Sequence, residues 1–474
     1  MASWRLPWVI LWFALALAVP KSADARLKTF TLRFGPVAVG AFDVSLPRGA
    51  AATPGVNGYI VRMHADLVDR RGARVTIRDV MLHHVVFSRQ RRATVRRECA
   101  GGVGEAFYGT GEENQTLRLP SGYGYRITRH DQWRMKAMLM SHSLRALDVY
   151  VRYRVTVQTG SRLTPVHPFW LRAIGCQRSV AYPIEGDGAA GSTNLRSFAW
   201  HVPYNGRIVA VGGHLHGGAE DMWLSQPRCR DRRLLDTRPF YGMPDHLYYR
   251  ARPILHEPGP VDTHYFLSRS GIPVLRGEIV RLSATYDAAH PRWGVMATMH
   301  VYIARTNSGP RGCTPLPSDR RELRKYQRVR LKPPWLPVPL AGLNDQGHTY
   351  TISSSPFPVQ PLAAGAVIDV GDRGFNPPHI SLPAGAPFTW HFVDGLHNVR
   401  LASGPRLVGT QSRHGGRSEP GVFPAPGHYE LFCALHPITM HEVVEVLPAA
   451  TTAATQNQSG PTAHATADTY DQLW

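Results

Sequence analysis

The chain has 474 residues, 44 glycines, 39 prolines and a formal charge of +20. That length implies about three domains. Arginine supplies 49 of the 54 basic residues and is scattered through strand-like segments rather than gathered in patches. This argues against nucleic acid as a partner and leaves a basic surface suited to anionic cell-envelope polymers.

Residues 1–25 read as a secretory signal peptide. Arg5 provides the positive start, Val9 to Val19 the apolar centre, and Ala23-Asp24-Ala25 a small-x-small cleavage site. The apolar run is short for a membrane span, so the mature chain is expected to be secreted or extracytoplasmic, in the periplasm or cell envelope. Five cysteines are present. Setting Cys433 aside leaves Cys99, Cys176, Cys229 and Cys313, an even set that suggests two disulfides in an oxidising compartment, with all three pairings open.

Helical periodicity is scarce, and short β-branched and aromatic runs are punctuated by Gly and Pro. The pattern predicts an all-β protein. Strand candidates run from Phe30 to Val44, Val80 to Phe87, Val149 to Val157, Arg207 to Val211, Ile279 to Tyr286 and Ala297 to Ile303. Two histidine motifs lie among them. His83-His84 would point to opposite faces of a regular strand, so both can serve one metal only where the strand ends or bends. In Gly212-Gly213-His214-Leu215-His216-Gly217-Gly218, positions i and i+2 share a face and can grip one metal, and the glycines permit close backbone approach.

In the late strand Ala297, Met299, Val301 and Ile303 form an apolar face, with Met296, Thr298, His300 and Tyr302 on the other. A side chain bordering an open cleft belongs with the second set, which favours Met296 over Met299 for such a position, and His300 and Tyr302 are expected to line the same cleft. Residues 311–362 read as a Pro-rich, semi-rigid linker that includes Lys332-Pro333-Pro334-Trp335, with a charged, helix-compatible piece from Asp319 to Arg330. Residues 449–474 are Ala/Thr/Gln-rich and expected to be disordered.

Between linker and tail, Cys433-Ala434-Leu435-His436-Pro437-Ile438-Thr439-Met440 places a thiolate, an imidazole and a thioether within eight residues. With a second imidazole from His397, this is the donor set of a blue-copper electron-transfer centre.

Together with Phe375-Asn376-Pro377, Pro383-Ala384-Gly385 and His397-Asn398, the segment 363–448 resembles a cupredoxin, the plastocyanin-like family. The resemblance implies a Greek-key β-sandwich, one type 1 copper on His397, Cys433, His436 and Met440, and a role for Asn398 in bracing the Cys loop. His441 is a second candidate beside Met440 for the axial position.

The region 27–310 resembles, remotely, the copper type II ascorbate-dependent monooxygenases, the family of peptidylglycine α-hydroxylating monooxygenase and dopamine β-hydroxylase. The order of motifs carries the likeness: a His-His strand, a single His, a His-x-His strand, then a late Met. Leu119-Pro120, Gly122-Tyr123-Gly124-Tyr125-Arg126-Ile127 and Gly277-Glu278-Ile279-Val280-Arg281-Leu282 add to it. The resemblance implies two jelly-roll subdomains, 27–160 and 161–310, holding up to two type 2 coppers. One would lie on His83, His84 and His142. The other, catalytic, would lie on His214, His216 and Met296.

The implied activity is C–H hydroxylation, with molecular oxygen, an external electron donor and a small-molecule or peptide substrate as partners. Thr298 and His300 stand where the family's substrate contacts would be sought as Asn and Tyr, so the substrate does not carry over. The alternative is a non-catalytic copper-binding or electron-transfer protein of the cell envelope. A multicopper oxidase would need several His-x-His motifs, and a copper nitrite reductase a second cupredoxin-like domain.

Overall fold

A computed structural model describes residues 26–90, 104–177, 180–186, 188–243, 245–251, 253–310, 312–326, 342–343, 348–352 and 355–449. The expected signal peptide, Cys99, Lys332-Pro333-Pro334-Trp335 and nearly all of the expected tail lie outside the described residues. Among those described, helix is confined to Leu247–Arg250 and 3-10 turns at Pro227–Cys229 and Ile352, and everything else regular is strand. The protein is all-β. No helix among the described residues is long and apolar enough to cross a membrane. All six predicted strand segments are strands, the first of them broken after Val39 and resumed at Val44–Ser45.

The sheets stack as sandwiches because one face of each strand is apolar. In the first, Arg26–Val39, Leu147–Thr159, Gly58–Val68 and Tyr123–Ile127 face a second sheet of Val44–Ser45, Arg48–Ala51, Trp133–Ser141, Val80–Arg89 and Glu105–Thr110. Phe87, Phe107, Tyr125, Trp133 and Tyr153 fill the space between them. In the next, Thr164–Arg172, Ala297–Arg305, Gly206–Leu215 and Tyr265–Val274 face Thr193–His201, Ile279–Asp287, Ala219–Gln226 and Arg232–Asp236. Trp200, Met222, Phe266, Leu282 and Met299 lie in that core. Thr164 and Pro165 pair in parallel with Tyr123 and Gly124, so one sheet of each sandwich continues into the other. This join brings the ends of Val80–Arg89 and Gly206–Leu215 together.

The segment expected to be linker departs from the expectation. Arg321–Leu323, inside the stretch read as helix-compatible, is a strand added to the edge of Tyr265–Val274. The Asp319 carboxylate accepts hydrogen bonds from Ser268 Oγ and the Arg269 and Ser270 amides. Edge pairing satisfies backbone groups that an isolated charged helix of this length would leave to water, and short helices are marginal alone.

Cys313 is bonded to Cys229 across 84 residues of sequence, and Cys176 is also disulfide-bonded. The cross-link pins the start of the connecting segment to the second sandwich and fits an oxidising compartment. Replacing Cys229 and Cys313 with Ser is expected to cost about 3–5 kcal/mol, the range for a loop of this length. Denaturant unfolding checks this, and an unchanged midpoint would mean that the edge strand alone holds the segment.

The last sandwich sets Gln360–Pro361, His379–Pro383, His441–Leu447, Gly427–Phe432 and Arg400–Ser403 against Gly374–Asn376, Ala366–Gly371, Pro387–Phe392, Gly416–Arg417 and Gly421–Val422. Its core does not stop at its own boundary. Val44, Met81, Met140 and Leu255 from the other two sandwiches belong to the same apolar cluster as Leu435 and Ile438. The Val44 amide donates to the Leu435 carbonyl at 3.2 Å, and the Arg400 guanidinium lies 4.9 Å over the Trp293 ring. The loop after Phe432 is thus docked against the first sandwich.

Candidate metal centres

The thiol centre lies at the docked end of the last sandwich. Phe432 ends one strand and His441 begins the next, and the loop between them is closed by Cys433 N–H to the Met440 carbonyl and Met440 N–H to the His436 carbonyl. Cys433 Sγ lies 3.7 Å from His436 Nδ1 and 3.9 Å from His397 Nδ1. These are separations that one ion placed between the three can close to bonding distance. Cys433 and His397 are fully buried and Met440 is 1% exposed.

Asn398 braces the loop. Its backbone amide donates to Cys433 Sγ, its Oδ1 accepts from the Ala434 amide at 2.8 Å, and its Nδ2 donates to Ser412 Oγ. Burial pushes the Cys433 thiol up, while the amides of Asn398, Leu435 and His436 pull it back toward the thiolate. His441, the second axial candidate, instead engages the Ile438 carbonyl through Nε2 at 2.8 Å.

The histidine centre forms where the first two sandwiches meet. His83 and His84 reach the same place because the register of Val80–Arg89 against Trp133–Ser141 slips between Leu82 and His84. This β-bulge re-aims a side chain that a regular strand would turn to the opposite face. The two Nδ1 atoms are 2.7 Å apart. His214 closes the strand Gly206–Leu215 and His216 follows it. The His83 ring is 5.5 Å from that of His216, the His84 ring 6.4 Å from that of His214, and His214 and His216 are 5.1 Å apart.

The two motifs therefore meet in one cluster rather than in two remote sites. His142 lies on its margin, 8% exposed, lining a cavity of about 10 Å³ with Glu112 and His256.

Glu112, Glu113 and His256 are the residues that sequence reading missed. The two acids lie in the turn after the edge strand Glu105–Thr110, where a Gly-Glu-Glu-Asn run suggests only a loop. Glu113 Oε2 is 3.1 Å from His214 Nδ1, and the Gly294 carbonyl is 3.1 Å from His216 Nδ1. In each case the other nitrogen, Nε2, is buried with no hydrogen-bond partner. An imidazole oriented by a carboxylate or carbonyl at one nitrogen, with the second left bare, is the arrangement metal ligands adopt.

Burial, with repulsion from neighbouring imidazoles, holds His83, His84 and His216 well below their ordinary pKa, hence neutral with lone pairs to give. Burial and His256 lower His142 to about 4. His214 is the exception. Burial works against its charge, but the Glu113 carboxylate outweighs that and raises it. Gly111 is obligatory here, because any Cβ would lie 2.4 Å from the His214 ring.

The ladder between Gly206–Leu215 and Ala297–Arg305 runs from Gly206 opposite Arg305 to Leu215 opposite Ala297. The next position on each strand holds His216 and Met296. Met296 lies just outside the strand, buried beside Ala181 and Val180, and its carbonyl accepts the Tyr286 hydroxyl. Met299 faces the sandwich core at 0% exposure. Met299→Ala is expected to cost about 2–5 kcal/mol without altering metal content. Met296→Ala should weaken retention of Cu(I) while moving the unfolding midpoint less. Denaturant midpoints and a Cu(I) competition titration separate the two, and the reverse pattern would exchange their roles.

The expected open cleft is absent among the described residues. His300 stacks on Trp170 with ring centroids 3.9 Å apart, and the Tyr302 hydroxyl donates to the Phe107 carbonyl inside the joined sandwiches. Both lie on the face that strand phase assigned them, but that face is covered. The apolar ring of Trp170 and the edge strand Glu105–Thr110 close over it where a cleft would leave them wet.

No family model matches the chain, and no curated protein matches it. Among solved structures, a Cu-containing nitrite reductase from Thermus scotoductus SA-01 aligns at 12% identity and a TM-score of 0.16 over 55% of this chain. The chain spans 58% of that protein's length. PNGase F, a glycosylasparaginase from Flavobacterium meningosepticum, aligns at 11% identity and a TM-score of 0.28 over 62% of this chain and 99% of its own. Neither likeness is close enough to carry an argument about fold or function.

Proposed function

We propose that the chain is an exported copper oxidoreductase of the monooxygenase type, in which a blue-copper module feeds electrons to a buried histidine centre. The donor chemistry supports copper. His397, Cys433, His436 and Met440 would hold a type 1 ion, and soft sulfur with imidazole selects copper over zinc. The cluster of His83, His84, His214 and His216, with bare buried nitrogens on the last two, would hold colourless copper, with Met296 as the soft ligand. When bound, copper supplies one-electron redox chemistry and reactivity toward O₂.

A short hydrogen-bonded and covalent route joins the two centres. His436 Nε2 lies 3.8 Å from Asp43 Oδ1, the Asp43 carbonyl accepts the Ser141 amide at 2.9 Å, and Ser141 is bonded to His142. The edge of His436 through which an outside donor would be expected to reach the blue centre lies beside Asp43 of the first sandwich, with about a third of the side chain still exposed. We therefore assign that edge as the outlet toward the histidine centre.

Around that centre the chain's own groups act by placement. Glu113 and the Gly294 carbonyl fix the rotation of His214 and His216, and burial keeps His83, His84 and His216 neutral. The docked sandwiches exclude bulk water.

That enclosure also favours a second reading. With His83, His84 and His214 each no more than 8% exposed, O₂ can be accommodated more readily than an organic substrate. A protein that holds copper and passes electrons without hydroxylating anything would need no cleft. Loading the full chain with copper and following O₂ consumption with a one-electron reductant separates them. Consumption that disappears in His214→Ala supports O₂ chemistry at the histidine centre and so the first reading. Copper uptake with no consumption supports the second reading.

A further inference from the structure

The carboxylate of Glu112 has a geometry that orienting one histidine does not explain. Its Oε1 is 2.8 Å from His256 Nε2 and 3.5 Å from His83 Nε2, and these three donors all lie within 4.8 Å of one another. Ligands on one ion with bonds of about 2.0–2.1 Å and angles near tetrahedral lie roughly 3.3 Å apart. The carboxylate is fixed from behind: the Gly259 amide donates to Oε2 at 2.8 Å, and the Tyr248 hydroxyl donates to the Glu112 carbonyl at 2.7 Å.

A second observation is independent of this carboxylate. His142 is 92% buried with Nδ1 lacking any hydrogen-bond partner, and it lines the same small cavity as Glu112 and His256. His256 Nδ1 is also buried and unpartnered.

We infer that Glu112, His256 and His83 form a metal site of their own, opening onto the small cavity that His142 also lines. It lies between the docked loop after Phe432 and the His84/His214/His216 cluster. Two imidazoles and one carboxylate, with a fourth position left open, suit a divalent first-row cation. By the general order of affinities Cu(II) is the strongest occupant, with Zn(II) next to it as a redox-silent probe. The site divides the His83-His84 pair between two ions, which the bulge at this point permits. The identity of its metal as copper rests on the proposed function, whereas its existence as a metal site does not.

The test is equilibrium binding of Cu(II), and separately Zn(II), to the full chain against a competing chelator, in wild type, His256→Ala and Glu112→Gln. Circular dichroism and the blue band report folding. One colourless equivalent should weaken about 10–100-fold in both variants and with both metals, while the blue site and the His84/His214/His216 equivalent stay unchanged. If both variants retained wild-type stoichiometry and affinity, the site would be refuted. If wild type took up Zn(II) here in a His256-dependent way but no colourless copper at all, the site would stand and the copper reading would fall. Should His256→Ala fail to fold, Glu112→Gln, which keeps the size of the side chain, gives the same readout.

Discussion

Copper-loaded Cys433→Ser is expected to be colourless where the wild type is intensely coloured, and to keep its remaining copper. The colour of a blue site arises from charge transfer between thiolate and Cu(II), and Cys433 is the free cysteine among the described residues. The serine hydroxyl is nearly the same size, so the loop closed by Cys433 N–H and the Met440 carbonyl should survive. The lost ligand is a soft one that an alcohol does not replace. Visible absorption and electron paramagnetic resonance read the result directly. The type 1 signal should vanish completely and the type 2 signals should persist. A colourless wild type would remove the assignment of His397, Cys433, His436 and Met440 together.

The second large effect is expected at the docking surface. Val44 packs into the apolar cluster that contains Leu435 and Ile438, and its amide holds the Leu435 carbonyl. Val44→Asp puts a charge where there is neither water nor a partner, at a cost of several kcal/mol, and should release the module from the first sandwich without touching a ligand. Tethering then leaves an effective concentration of about a millimolar in place of fixed contact. Transfer between the centres should slow about tenfold or more, while the blue spectrum and copper content stay as in wild type. An unchanged rate would show that the docked arrangement is not the one that transfers electrons.

The thiol centre was the most legible part of this chain, because three of its four candidate ligands and the loop that carries them are local in sequence. Asn398 could be read as the brace, and in the structure it makes that connection through the Ala434 amide. The strands were legible from their alternation. The histidine centre was only half so. His-x-His announces itself by strand phase, and the need for a bend at His83-His84 could be stated in advance, with the bulge supplying it.

What brought the two motifs into one cluster is the parallel pairing of Thr164 and Pro165 with Tyr123 and Gly124, a long-range contact with no local signature. Glu112, Glu113 and His256 were invisible for the same reason. A pair of adjacent acids and a lone histidine in Gly- and Pro-containing loops are ordinary surface residues until the fold buries them. The covering of the face that carries His300 and Tyr302 likewise depends on Trp170, from a strand whose partner could not be read from pattern alone. The strand at Arg321–Leu323 is too short to show an alternation, and it is explained by its edge position and by Leu323 packing against the first core.

If the last sandwich and the buried histidines form one electron path, stopped-flow reoxidation will show it: the copper-loaded full chain is reduced, mixed with O₂, and followed by return of the blue band. The blue band should return rapidly in wild type and far more slowly in His83→Ala with its type 1 site intact. Equal rates in the two proteins would mean that the blue centre delivers its electrons elsewhere, and would contradict the account.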